Sequence, residues 1–268
     1  MENFMPGRNA LSKSGPAGGA AGVDARFEPT LALEAQAGVV HLWLLEVGSE
    51  DLCAEAAWRG LLSADELARN EAFRDSGARR LHLAGRALLR ATLSRYAPLP
   101  PGQWRFRANA HGRPVIDHDD VGWDLGFNLA HTDGLVALVV SSGSELGVDV
   151  ETSDRQVEVD DLAPLVCAPE EAAALAEAPV ELRNEMFLHL WTLKEAYLKA
   201  RGVGLSGAMT SCVFDMGASA GHGDFAALRT EDGQGWRFAQ RRPTPGHVLA
   251  IARRGRWGGL RVIETPPV

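Results

Sequence analysis

Two short segments hold the residues of this sequence best suited to chemistry. In "LGVDVE", Leu146 to Glu151, two carboxylates stand two residues apart in a run of strand-forming residues. Successive strand side chains point to opposite faces, so Val148 and Val150 share one face and Asp149 and Glu151 the other. Like charges ~7 Å apart repel, and more strongly where water is excluded. Either water bathes that face or a cation sits between the carboxylates. In "HLWTLKEAYLK", Glu195 lies on one helical row with Trp191 and Lys199. A carboxylate in an apolar stripe is costly unless it is paired or metal-bound. The plainer reading is a surface Glu–Lys pair worth ~0.3–0.5 kcal/mol. Taken together, Asp149, Glu151 and Glu195 offer the oxygen-only shell that Mg2+ accepts, with places left for waters and phosphates.

Cations and polar groups surround these acids in the sequence. "HGRPVI" places Arg113 after a turn at His111-Gly112, and its guanidinium fork suits a phosphate. "FNLAHTDG" sets Asn128 and His131 at a strand end, where a lone histidine is more often a structural hydrogen-bonder than a catalyst. Arg69, Arg79, Arg80, Arg86 and Arg90 make a basic stripe that suits an acidic partner. There is no Walker loop, no GxGxxG after a strand, and no Ser-His-Asp or Cys-His set with recognisable flanks. These residues point to a carboxylate-held Mg2+ and a phosphate-rich ligand, hence to phosphoryl-type transfer.

The elements that must position them follow from periodicity and turn chemistry. "VVHLWLLEV" (39–47) reads as a first strand, and Ser63 with Glu66 forms a capping-box helix start. A second helix runs through "ARRLHLAGRALLRATLSRYA". "GFNLAHTDGLVALVVSS" reads as two strands joined by residues 131–134, followed by "LGVDVE". Helical "LAPLVCAPEEAAALAEA" precedes the longest helix, "PVELRNEMFLHLWTLKEAYLKARG", which closes on Gly202. Short strands in "SCVFDM", "FAALRT", "WRFAQRR", "HVLAIARR" and "LRVIE" end the chain. Each half thus offers a long helix and several strands, an α+β pattern.

The 268 residues, 46% hydrophobic and 23% charged, have ordinary globular composition and ample length for a core. A net charge of −8 argues against general nucleic-acid binding. No apolar run approaches the ~20 residues of a membrane span, and the first residues lack the apolar centre of a secretory signal. Residues 1–36, rich in Gly, Ala, Pro and Ser towards their start, read as a flexible tail. Three scattered cysteines without CxxC spacing fit a reducing compartment, so a soluble cytoplasmic protein is expected.

"GVDVE", followed some forty residues later by "WTLKEAYLKARGVGL", resembles the paired signatures of the Sfp-type 4'-phosphopantetheinyl transferases. "GRPVI" and "FNLAHTDG" match that family's Gly-Lys-Pro and Asn-x-Ser-His stretches in order, and "RNEAFRDSGARRLHLAGRALLR" is similar to its arginine-rich helix. The similarity spans roughly residues 39–263. It implies a pseudo-twofold fold of two α/β halves, 37–141 and 142–268, with coenzyme A in the cleft between them and most of the metal site in the second. The implied reaction moves the 4'-phosphopantetheine arm of coenzyme A onto a serine of an acyl or peptidyl carrier protein. It requires Mg2+ and releases adenosine 3',5'-bisphosphate, and a monomer suffices for it.

Carried over by position, Asp149 and Glu195 resemble metal ligands, and Glu151 resembles a third acidic ligand that some members lack. Glu195 is also the implied base for the carrier serine, directly or through a water, and Lys199 neutralises charge on the pyrophosphate. His131 is implied at a phosphate with Asn128 shaping its loop, and Arg113 and Arg69 beside the adenosine 3'-phosphate. Two departures stand out. Ala130 replaces the usual Ser, and Asp133 adds negative charge nearby. The competing readings are a non-catalytic coenzyme A- or carrier-binding module and a Mg2+-dependent nucleotide phosphohydrolase.

Overall fold

The computed structural model describes residues 26–48, 52–117, 121–204, 208–215, 223–225, 227 and 229–263. Its helices are α1 (Pro29–Gln36), α2 (Leu52–Arg59), α3 (Ala64–Glu71), α4 (Ser76–Leu93), α5 (Val159–Val166), α6 (Pro169–Glu177) and α7 (Val180–Arg201). Its strands are β1 (Val40–Glu46), β2 (Phe106–Ala108), β3 (Pro114–Ile116), β4 (Leu125–Thr132), β5 (Leu135–Ser142) and β6 (Leu146–Thr152). They continue with β7 (Cys212–Val213), β8 (Gly223–Phe225), β9 (Arg229–Thr230), β10 (Trp236–Arg241), β11 (His247–Arg254) and β12 (Leu260–Ile263). The α+β class expected from the sequence is the one observed.

Two four-stranded sheets, ordered β12-β1-β5-β4 and β6-β11-β10-β8, lie face to face between two long helices. Strand alternation explains the layering. On β5, Val136, Leu138 and Val140 pack with Leu88 and Leu89 of α4, while Leu135, Ala137 and Val139 meet Leu249 and Ile251 of the other sheet. Ala250 and Ala252 of β11 turn outward to α7, where they meet Leu193 and Tyr197. Both faces of each sheet are therefore buried, and the apolar inter-sheet core fixes one half against the other.

Local signals behave as their chemistry dictates. Ser63 and Glu66 cap α3 reciprocally, and Gly202 ends α7 in the left-handed region at φ 68°. The helical stretch expected over 162–178 is two helices, because Pro169 forces Ala168 into an extended conformation. A second difference lies in the expected tail. Its residues 29–36 form α1, with Leu31, Ala32 and Ala35 buried, and its first 25 residues lie outside the described ones. A third is β12, which leaves the C-terminal half to pair in parallel with β1. Among the described residues no helix is long and apolar enough to cross a membrane.

Candidate active site

Strand β6 answers the question its carboxylates raise, because the face bearing Asp149 and Glu151 turns to α7 and not to water. Gly147 shares that face, and a Cβ there would sit 2.0 Å from the Ala196 carbonyl oxygen and 2.5 Å from the Ala200 nitrogen. Only glycine lets the helix cross so close to the strand. Along this crossing Asp149 meets Lys199 and Glu151 meets Trp191. The i, i+4, i+8 row read from the sequence is therefore the row that faces the acids. Gly147→Ala is expected to cost about 1–3 kcal/mol by pushing α7 outward. A urea melt checks this, and an unchanged midpoint would show that the crossing tolerates a methyl group.

Asp149 and Glu195 are 5% and 8% exposed, and Lys199 Nζ lies 2.6 Å from Asp149 Oδ1. Asp149 Oδ2 and Glu195 Oε1 are buried without a hydrogen-bond partner. Burial pushes the Asp149 carboxyl above its usual range despite the Lys199 ammonium. Glu195 is raised by burial and then by the charges of Asp149 and Glu151, and Glu151 by burial and then by Asp149. Two orphaned carboxylate oxygens in a crowded acidic cluster are a donor set suited to a hard divalent cation. No three His, Cys, Asp or Glu side chains among the described residues are grouped as a ready metal site. Glu151 instead forms an ion pair with Arg155.

His131 brings the N-terminal half to this cluster. At the end of β4, partial burial and then the Lys199 ammonium hold its imidazole below the usual range. The other residues picked out from the sequence have different positions. Asn128 is buried, and its Oδ1 accepts from the Val148 nitrogen at 2.9 Å, tying β4 to β6 beside Asp149. Arg113 donates to the carbonyls of Lys199 and Ala200 at the end of α7, and to Phe127 at 3.0 Å and Leu146 at 2.9 Å. In this structure its guanidinium is committed to the backbone, where it caps α7 and bridges β4 and β6. Arg69 is exposed on α3, within electrostatic reach of His82 and Arg86.

The arginine stripe is not the free basic face that its sequence suggests. Arg86 and Arg90 both grip Glu66, with Nε–Oε distances of 2.6 and 2.7 Å, and Arg80 pairs with Glu55. Arg86 and Arg90 also lie over the Phe106 ring. These side chains lock α3, α2 and β2 onto α4, leaving Arg69, Arg74 and Arg79 exposed. Three further residues at or near the site escaped the sequence reading. His82 lies within electrostatic reach of His131 and accepts from Asn70 Nδ2 at 3.1 Å. Arg155 pairs with Glu151, and Asn184 holds the Arg155 segment to α7.

A family model described as the 4'-phosphopantetheinyl transferase superfamily matches residues 145–252, the stretch that holds both site segments. Among curated proteins, the chain is 34% identical to the 4'-phosphopantetheinyl transferase HetI of Nostoc sp., over 62% of this chain and 70% of that protein. It is 29% identical to the 4'-phosphopantetheinyl transferase psf-1 of Bacillus pumilus, over 65% of this chain and 66% of that one. With the 4'-phosphopantetheinyl transferase AcpT of Escherichia coli (strain K12) the identity is 36%, over 45% and 56%. The matched stretch thus spans between about half and 70% of these relatives' length. Acids and lysine brought together by β6 and α7, inside the matched region and joined to relatives of one activity, place this chain in the 4'-phosphopantetheinyl transferase superfamily, and it is a transferase.

Proposed function

We propose that this protein transfers the 4'-phosphopantetheine group of coenzyme A to a serine of an acyl or peptidyl carrier protein, with Mg2+, and releases adenosine 3',5'-bisphosphate. The observation that carries the reading is the pair of orphaned oxygens on Asp149 and Glu195 beside Lys199 and His131. Asp149 and Glu195 would hold the cation, with Glu151 as the third acid. A bound Mg2+ supplies charge neutralisation at the pyrophosphate. The serine hydroxyl attacks the phosphorus that carries the pantetheine arm, forming a phosphodiester as the anhydride bond to the adenosine phosphate breaks. Glu195 accepts the serine proton, directly or through a water. Lys199 and His131 face the charge that builds on the leaving phosphate.

The two halves, 37–141 and 142–268, are proposed to be related by a pseudo-twofold axis with coenzyme A between them. In support, β1, α4, β4 and β5 follow one another as β6, α7, β10 and β11 do, and the spatial orders β1-β5-β4 and β6-β11-β10 correspond. Both halves contribute to one site, so a monomer is complete; the cytoplasm is its proposed compartment, given three unpaired cysteines.

The test is intact-mass analysis of an unmodified carrier protein incubated with this protein, coenzyme A and Mg2+, with and without EDTA. The expected result is a gain of one phosphopantetheinyl group that depends on metal. No gain on any of several acyl and peptidyl carriers, with coenzyme A bound and intact, would point to a binding module. Coenzyme A consumed without a carrier would point to a hydrolase.

A further inference from the structure

The turn that follows His131 is held from across the molecule. Strands β4 and β5 pair as far as Thr132 and Leu135, so their hairpin closes on Asp133 and Gly134 alone. Gly134 takes a left-handed φ of 75°, whereas no residue other than glycine among those described has a positive φ. Both turn types that match the twist of a two-residue hairpin need a positive φ at its first position, here Asp133. This turn is therefore of the less well matched kind, and it gains from outside support. His247, at the start of β11 in the C-terminal half, supplies it. Its Nε2 lies 2.9 Å from the Asp133 carbonyl oxygen. A carbonyl only accepts, so Nε2 carries the proton, and in the neutral ring Nδ1 accepts from the Thr244 hydroxyl at 2.6 Å. Thr244 Oγ1 is itself fixed by the Gly246 nitrogen at 3.2 Å, and the Ser153 nitrogen, just past β6, donates to the Gly246 carbonyl at 2.8 Å. The imidazole also lies against the turn, with Cε1 4.0 Å from where a Cβ on Gly134 would stand.

We propose that His247 is a positioning residue for coenzyme A: by pinning the Asp133 carbonyl across the seam between the halves, it fixes the turn beside His131 and with it the place of that imidazole before the phosphates. This rests on the transferase reading, and it adds the residue that ties His131 to the half carrying the acids and Lys199. Asp133, singled out in the sequence for its charge, is used here through its carbonyl. That carbonyl lies two strand residues from His131, about 7 Å along the chain, so a change of turn conformation reaches the imidazole. Asp133 is exposed and His247 half-buried, so the bond is a small contribution and its loss loosens binding without abolishing it.

The test is calorimetric binding of coenzyme A to the full chain in Mg2+, with steady-state transfer measured beside it. His247→Ala, and His247→Phe, which keeps a ring over Gly134, are expected to weaken coenzyme A binding about 3- to 10-fold. kcat/KM for coenzyme A should fall at least as far, while the KM for the carrier protein stays unchanged. His247→Gln, whose amide can donate to the Asp133 carbonyl, should recover most of the loss. In a His131→Ala background His247→Ala should weaken binding no further, because His247 acts through that imidazole. Wild-type affinity in His247→Ala and His247→Phe would overturn the proposal, as would a His247→Gln variant no better than His247→Ala. An equal loss in both backgrounds would do the same, since it would mark a general loosening of the fold. If the wild type binds coenzyme A but modifies no carrier, the transferase reading falls and the same binding cycle still decides the role of His247. A wild type that binds no coenzyme A overturns both.

Discussion

Asp149→Asn should lower carrier modification by about 100-fold or more while leaving the fold intact, because it removes the most buried acid of the proposed metal site. The stability prediction has the opposite sign. Burial raises the folded-state carboxyl of Asp149, and Glu195 and Glu151 are raised in the same way. A raised acid favours the folded state when it is protonated. Its contribution is present below the ordinary carboxylate range and is lost as pH rises through the elevated folded value. In the metal-free protein, the stability of the wild type relative to Asp149→Asn should therefore rise as pH falls from neutral into the weakly acid range, a difference in which the opposing contribution of the depressed histidines His41, His82 and His131 cancels. At neutral pH without metal, Asp149→Asn should be at least as stable as the wild type, since its amide carries no buried charge and Lys199, 32% exposed, can turn to water. Mg2+ should raise the wild-type melting temperature by mass action and leave the variant's unchanged. Melting curves across pH, with and without Mg2+, read all three effects. Full transfer by the variant in Mg2+ would remove Asp149 from the site.

Lys194→Met is expected to destabilise the protein by about 3–5 kcal/mol. Lys194 and Glu171 are both fully buried, with Nζ 2.8 Å from Oε2. The ammonium also donates to the carbonyls of Met209 and Cys212, and Glu171 accepts from the nitrogens of Ala168 and Phe214. This network pins α7 to the start of α6 and to residues 209–214, one position before Glu195. Removing the lysine strands a carboxylate in the core, which costs far more than the pair itself contributes. The double change Lys194→Met with Glu171→Leu should therefore cost less than Lys194→Met alone, and urea unfolding of the set reads the difference. A single-variant loss under about 1 kcal/mol would mean that water reaches the site. Part of the effect should also appear in transfer, because the same helix turn aims Glu195.

How much of this was legible in the sequence depended on range. Ser63 and Gly202 announce a helix start and stop because caps bond to residues three or four away. The shared face of Asp149 and Glu151, and the row of Trp191, Glu195 and Lys199, follow from periods of 2 and 3.6 residues. Arg113 shows the limit. Its type suggested a phosphate, but its partners are carbonyls up to 87 positions away, and no local pattern encodes them. Arg86 and Arg90 read as a basic face until the fold set Glu66 between them. Residues 29–36 looked like tail because a short helix is stable only on the core it covers.

The sequence by itself determined which residue types stand on which face of β6 and α7, because backbone geometry fixes side-chain direction locally. Only the tertiary structure decided that those two faces meet, that Gly147 sets their distance, and that Lys199 and Arg155 each take one carboxylate. Burial and charge pairing belong to contacts between elements far apart in the chain, and the packed layers create both at once.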